Sequence, residues 1–133
     1  MTAVASKLRI LVVDDEPSIG NTVKMLLNID GHEVESTQSG KEALAKFERG
    51  RFDLVFTDFA MPGMKGDQLA AAIKTRAPEQ PIVMITAHAG ALPATVNVDH
   101  IVGKPFRLQQ LRDAITKVLP AKSCPADRPT AGV

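Results

Sequence analysis

The chain has 133 residues, 44% of them hydrophobic, and a formal net charge of +1 from 16 basic and 15 acidic side chains. That length suits one domain of ordinary globular composition. The balanced charge and the lack of Tyr and Trp argue against a nucleic-acid surface, and no apolar stretch approaches the roughly 18 residues of a membrane span.

The first expected element is a strand over Leu8–Val13, a near-continuous apolar run of the kind found inside a parallel sheet covered on both faces. With Arg9 inside it and Asp14, Asp15 and Glu16 behind it, this run is too short and wrongly flanked for a signal peptide. The single cysteine, Cys124, cannot form an internal disulfide, so a cytoplasmic location is expected. Pro17 suits the first turn of a helix, where its missing N–H is no loss. Ile19, Val23, Leu26 and Leu27 give that helix an apolar stripe, and Gly31 ends it. A weaker strand over His32–Thr37 reads as a sheet edge.

Ser39 and Glu42 have the spacing of a capping box, opening a second helix that buries Ala43, Leu44 and Phe47 and stops at Gly50. Phe52–Thr57 is the third strand. Pro62 and Gly63 make Phe59–Lys65 a loop, and Gly66–Arg76 a helix burying Leu69, Ala72 and Ile73. Strand four covers Ile82–Ile85. A short or distorted fourth helix is expected within Ala87–Asp99, where Gly90 and Pro93 weaken it. Strand five is His100–Gly103, and Leu108, Leu111, Ile115 and Val118 mark a final helix over Leu108–Leu119. The domain is expected to span residues 7–119, with 120–133 as a flexible C-terminal tail or linker stub.

Strands alternating with helices predict an α/β fold, a doubly wound five-stranded parallel sheet. Ligands of such sheets sit outside the carboxyl ends of the strands. There the sequence puts Asp14 and Asp15 after strand one, Asp58 after strand three, Thr86 after strand four and Lys104 after strand five. Three clustered carboxylates repel one another unless a cation joins them or one takes a proton. Oxygen ligands without cysteine suit a hard ion such as Mg²⁺ (or Mn²⁺). A hydroxyl and an ammonium opposite that ion form a pocket for an anion. An ammonium about 4 Å from a phosphoryl oxygen gains ~4 kcal/mol of gross Coulomb energy at an effective dielectric of about 20. The parts resemble a phosphoryl-transfer site.

The segments Val12-Val13-Asp14-Asp15-Glu16, Asp58-Phe59-Ala60-Met61-Pro62-Gly63-Met64-Lys65-Gly66, Ile85-Thr86-Ala87 and Lys104-Pro105-Phe106 resemble the receiver domains of two-component response regulators. The resemblance covers about residues 7–119 and implies a flavodoxin-like strand order of 2-1-3-4-5. It implies that Asp58 is the phosphoacceptor, taking a phosphoryl group from a histidine kinase or a histidine phosphotransfer protein. Asp15 is implied as a direct metal ligand, Asp14 as one acting mainly through water, and the Ala60 carbonyl as a further ligand. Thr86 would bond the phosphoryl group and shift on its arrival, Lys104 would pair with a phosphoryl oxygen, and the Lys104–Pro105 bond would be cis. Self-catalysed transfer and slow autodephosphorylation would be its only chemistry, and its output would be altered binding of a downstream protein. No nucleic-acid or membrane partner is expected.

The sequence departs from the family pattern at Ile101, three residues before Lys104, where a Tyr or Phe is usual. An aliphatic side chain there cannot reproduce an aromatic swing or a phenolic hydrogen bond. Ala60 lacks a polar side chain to position a water. Plainer readings stand beside these. Asp14 and Asp15 could be a charge pair at a helix N-terminus, Thr86 a structural hydroxyl, Lys104 a surface lysine and Gly66 a matter of backbone shape. His88, two residues after Thr86, would flank the site mouth. Rival functions are an aspartate-nucleophile phosphatase of dehalogenase-like type, a degenerate receiver used only for binding, and a flavodoxin-type cofactor binder. The first usually has a second Asp two residues after its nucleophile rather than an adjacent pair, and the last needs a phosphate loop after strand one.

Overall fold

The computed structural model describes residues 8–61, 63–87 and 98–119. Five parallel strands, β1 (Arg9–Val13), β2 (Glu33–Thr37), β3 (Leu54–Asp58), β4 (Ile82–Thr86) and β5 (His100–Gly103), form one sheet in the order β2-β1-β3-β4-β5. The helices among the described residues are α1 (Pro17–Ile29), α2 (Gly40–Lys46), α3 (Gly66–Arg76) and α4 (Leu108–Val118). This is the expected α/β sheet in the expected order. The helix expected within Ala87–Asp99 lies almost wholly outside the described residues, as does the tail from 120.

Alternation along each strand divides the core in two. Ile10, Val12, Leu54, Phe56, Val83, Ile85 and Val102 face one side and pack with Val23 and Leu27 of α1 and Leu111 and Ala114 of α4. Leu11, Val13, Val55 and Ile82 face the other side and pack with Ala43 of α2 and Leu69, Ala70 and Ile73 of α3. Burying each large side chain of this kind stabilises the fold by roughly 1.5–3 kcal/mol. The apolar runs of β3 and β4 are buried at every residue, as strands with helices on both faces must be. β2 and β5 are the two edges, and both are partly exposed.

Local signals worked largely as read, with informative shifts. Gly31 has a φ of 87° just past the end of α1, a left-handed conformation that favours glycine. The Ser39 hydroxyl accepts from the Glu42 N–H at 3.1 Å, as a capping box requires. Glu42, however, reaches back to the Gln38 N–H at 2.9 Å and not to that of Ser39. α2 ends at Lys46, so Phe47 enters the core from an extended backbone rather than from the helix. β3 and β4 each run one residue further than expected, which makes Asp58 and Thr86 the last residues of their strands.

Candidate functional site

β1, β3, β4 and β5 all point their carboxyl ends at one rim, because parallel strands in register must. Val13 is level with Thr57, Asp58 with Ile85, and Thr86 with Gly103. Asp14 therefore leaves the sheet beside Asp58, and Lys104 leaves it next to Thr86. The Asp14 N–H donates to the Thr37 carbonyl at 3.0 Å and the Lys104 N–H to the Thr86 carbonyl at 2.8 Å. The rim backbone is thus tied across the sheet on both sides of β3.

The three carboxylates converge. Asp14, Asp15 and Asp58 each offer an oxygen, and these oxygens lie within 4.8 Å of one another. Asp14 and Asp58 are buried and Asp15 is half-buried. Burial raises the pKa of Asp14, the Glu16 N–H donating at 2.9 Å opposes that rise, and the Asp58 charge adds to it. Burial likewise raises the pKa of Asp58, against a hydrogen bond and charge from Lys104. Lys104 Nζ donates to Asp58 Oδ1 at 2.8 Å and lies 3.6 Å from Asp14 Oδ2. Burial alone would lower the ammonium pKa, but the Asp58 hydrogen bond, with the charges of Asp58, Asp14 and Glu16, holds it above the ordinary lysine value.

The chemistry of this donor set fits a hard divalent cation. Its ligands are all oxygen, the charges are crowded, and two of the three carboxylates are taken out of water. One ammonium offsets only part of that charge. A cation among Asp14, Asp15 and Asp58 would relieve the rest.

Thr86 is buried as the last residue of β4, one strand over from Asp58. Ala60 is exposed in the loop two residues past Asp58. The Lys104–Pro105 peptide bond is cis. Ile101 lies on β5, level with Met84 of β4 and 37% exposed, two residues before the glycine that pairs with Thr86. His88 and Pro62 lie outside the described residues.

Some contributors carried no clear sequence signal. The Glu16 backbone N–H fixes Asp14, and only its place at the start of α1 hints at that. The Thr57 hydroxyl donates to the Asp58 carbonyl at 3.0 Å, and a lone hydroxyl in an apolar strand was the available clue. The Phe59 N–H donates to the Ile85 carbonyl at 3.1 Å, which ties the chain leaving Asp58 to β4.

The profile of the response regulator receiver domain matches residues 10–116. The chain is 33% identical over 113 residues to the transcriptional regulatory protein TrcR of Mycobacterium tuberculosis, covering 82% of this chain and 44% of that protein. It is 34% identical over 115 residues to the response regulator protein FleR of Pseudomonas aeruginosa, covering 82% and 24%. The chain thus spans half or less of the length of these relatives. Among solved structures, the response regulator TrrA of Thermotoga maritima, in complex with Mg²⁺ and BeF, superposes with a TM-score of 0.78 at 36% identity, covering 86% of this chain and all of that one. The chemotaxis protein CheY4 of Vibrio cholerae superposes at 0.77 with 32% identity, covering 86% and 100%.

Proposed function

The chain belongs to the response regulator receiver domains, and from that premise we propose that Asp58 is its phosphoacceptor, served by Lys104, Thr86 and a divalent cation. Receiver domains are signalling domains that histidine kinases phosphorylate. The observation that carries the assignment to Asp58 is the 2.8 Å contact of its Oδ1 with Lys104 Nζ inside the three-carboxylate cluster.

The step needs little covalent machinery. A carboxylate oxygen of Asp58 attacks the phosphorus of a partner's phosphohistidine. The new O–P bond forms as the P–N bond breaks, and the electron pair returns to the imidazole nitrogen, which takes a proton from solvent. Asp14, Asp15, Asp58 and the carbonyl of Ala60 would hold Mg²⁺ (or Mn²⁺), which supplies positive charge to the transferring phosphoryl oxygens. Lys104 is placed to neutralise one of those oxygens, and Thr86 to donate its hydroxyl to another. The acyl phosphate adds about −1.5 to −2 of charge where Thr86 and Lys104 can respond, biasing a two-state equilibrium in the surface offered to partners. The TrrA structure, solved with Mg²⁺ and BeF, supports this arrangement by likeness.

The donor would be a histidine kinase or a histidine phosphotransfer protein, and the output a change in binding to a downstream protein. Among the described residues no helix is long and apolar enough to cross a membrane. A location in the cytoplasm belongs to the proposed reading. The domain is taken as residues 7–119. Turnover would be confined to self-phosphorylation and slow loss of the phosphoryl group. Mixing the chain with a phosphohistidine donor tests the reading: transfer should require Mg²⁺ and vanish in Asp58→Asn. Sustained hydrolysis of many phosphomonoesters would instead make it an enzyme.

A further inference from the structure

Gly66 opens α3 and is buried, and its φ is not in the left-handed region. Conformational freedom therefore does not explain a glycine here; close approach does. A Cβ on Gly66 would land on the carbonyl oxygen of Asp58, 2.8 Å from Phe59 Cα and 3.1 Å from the Asp58 carbonyl carbon. All three are backbone atoms, which cannot rotate aside as the end of a side chain can. The Gly66 N–H also donates to the Phe59 carbonyl at 2.9 Å, while the Phe59 N–H donates to Ile85 of β4 at 3.1 Å. The residue that follows Asp58 is therefore gripped from α3 on one side and β4 on the other.

Gly40, at the start of α2, makes a useful contrast. The three atoms nearest a Cβ there all belong to the Met64 side chain, Sδ at 2.8 Å, Cγ at 2.9 Å and Cβ at 3.0 Å. Truncating Met64 to alanine removes the two nearest of these atoms and leaves its Cβ, at 3.0 Å. No truncation relieves the contact at Gly66.

We infer that Gly66 is a positioning residue for the acceptor: the first turn of α3 abuts the backbone of Asp58 and Phe59 and sets where the Asp58 carboxylate stands relative to Asp14, Asp15 and Lys104. The inference rests on the reading of Asp58 as a metal-assisted phosphoacceptor. Adding one carbon at residue 66 should push that backbone away from α3 and loosen the cation site without removing any ligand.

The test compares the full chain with Gly66→Ala and with the Gly40→Ala/Met64→Ala pair. Mg²⁺ affinity is read by calorimetry, phosphorylation rate with acetyl phosphate at saturating Mg²⁺, and folding by circular dichroism and urea midpoint. Residues that orient metal ligands typically cost 10–100-fold in affinity when changed, so Gly66→Ala should weaken Mg²⁺ binding by about tenfold or more. It should also slow phosphorylation, since a misplacement of about 1 Å can cost ~10²-fold. The Gly40→Ala/Met64→Ala pair should keep Mg²⁺ affinity within about twofold whatever stability it loses, because its cavity lies in apolar packing. A folded Gly66→Ala protein with unchanged Mg²⁺ affinity and rate overturns the inference.

If Gly66→Ala does not fold, amide exchange in the wild type decides. Mg²⁺ should slow exchange of the Gly66 N–H more than that of amides in the last turn of α3, and equal protection overturns the inference. A wild type that binds no Mg²⁺ and takes no phosphoryl group fails the underlying reading. A wild type that does both, beside an unaltered Gly66→Ala, fails this inference alone.

Discussion

Lys104 Nζ sits 2.8 Å from Asp58 Oδ1 and 3.6 Å from Asp14 Oδ2, so a single ammonium from the end of β5 ties together carboxylates from the ends of β1 and β3. The same ammonium can serve two states. Before transfer it offsets the charge of Asp58; after transfer a phosphoryl oxygen can take the place of the carboxylate. Lys104→Met keeps much of the side-chain volume and deletes the charge. Phosphorylation from acetyl phosphate should slow by about 10²-fold, the usual loss when one such donor is removed. A rate within about twofold of wild type, with folding confirmed, would remove Lys104 from the mechanism.

Mg²⁺ should stabilise the fold, because the cation relieves repulsion among Asp14, Asp15 and Asp58 only when the chain brings them together. At about 100 times its dissociation constant, a ligand specific to the folded state adds about 2.7 kcal/mol. For a domain of this size that corresponds to a rise in Tm of roughly 10 °C. A chelator should reverse the rise, and Asp15→Asn should blunt it. Calorimetric scans with and without Mg²⁺ measure it directly, and coincident scans would contradict the metal assignment.

His32 predicts a separate pH dependence away from the site. It is buried before β2, and its Nδ1 accepts the Leu8 N–H at 3.1 Å, which requires the neutral ring. Burial lowers its pKa, against weaker opposing charges from Asp30 and Asp53. The unfolded chain therefore takes up the proton first as pH falls. This residue contributes no pH dependence well above the ordinary histidine pKa of about 6.5, and it costs stability progressively as pH drops from there toward its lower folded value. Urea unfolding across roughly pH 8 to 5, the range in which histidine titrates, should show this loss in wild type and a reduced slope in His32→Asn. Equal slopes would mean that the ring titrates alike in both states.

Ala60 should lengthen the life of the acyl phosphate. Its side chain is a methyl group at an exposed position two residues past Asp58, so it offers no hydrogen bond to a water approaching from solvent. Ala60→Asn supplies an amide that can orient such a water, and the phosphate should be lost several-fold faster, within the range of about 10²-fold that positioned polar groups supply. Decay of the phosphorylated form after removal of donor checks this. Equal lifetimes would show that the residue does not control water.

The rim was legible in the sequence because parallel strands between helices put their carboxyl ends on one side, so the residues ending each apolar run had to meet. That reasoning located Asp14, Asp15, Asp58, Thr86 and Lys104 without any knowledge of distances. Ile101 was legible as a departure, but its 37% exposure and its pairing with Met84 depend on β5 being an edge strand. Gly66 was read as backbone shape, because a sequence cannot show that the Asp58 carbonyl occupies the space of its missing Cβ. The burial of His32 was hidden for a similar reason: its partner, the Leu8 N–H, lies 24 residues away. The return bond of Glu42 missed Ser39 by one residue because both Gln38 and Ser39 present N–H groups at the start of α2.

As the acceptor, Asp58 would become an acyl phosphate. The most direct measurement is to incubate the chain with acetyl phosphate and Mg²⁺, reduce the product with borohydride, and map the modified peptide by mass spectrometry. Reduction of an aspartyl phosphate yields homoserine, which is expected at position 58, dependent on Mg²⁺ and absent from Asp58→Asn. Homoserine at Asp14 or Asp15 instead, or none anywhere in a folded chain that had been given donor and Mg²⁺, would contradict the assignment of Asp58.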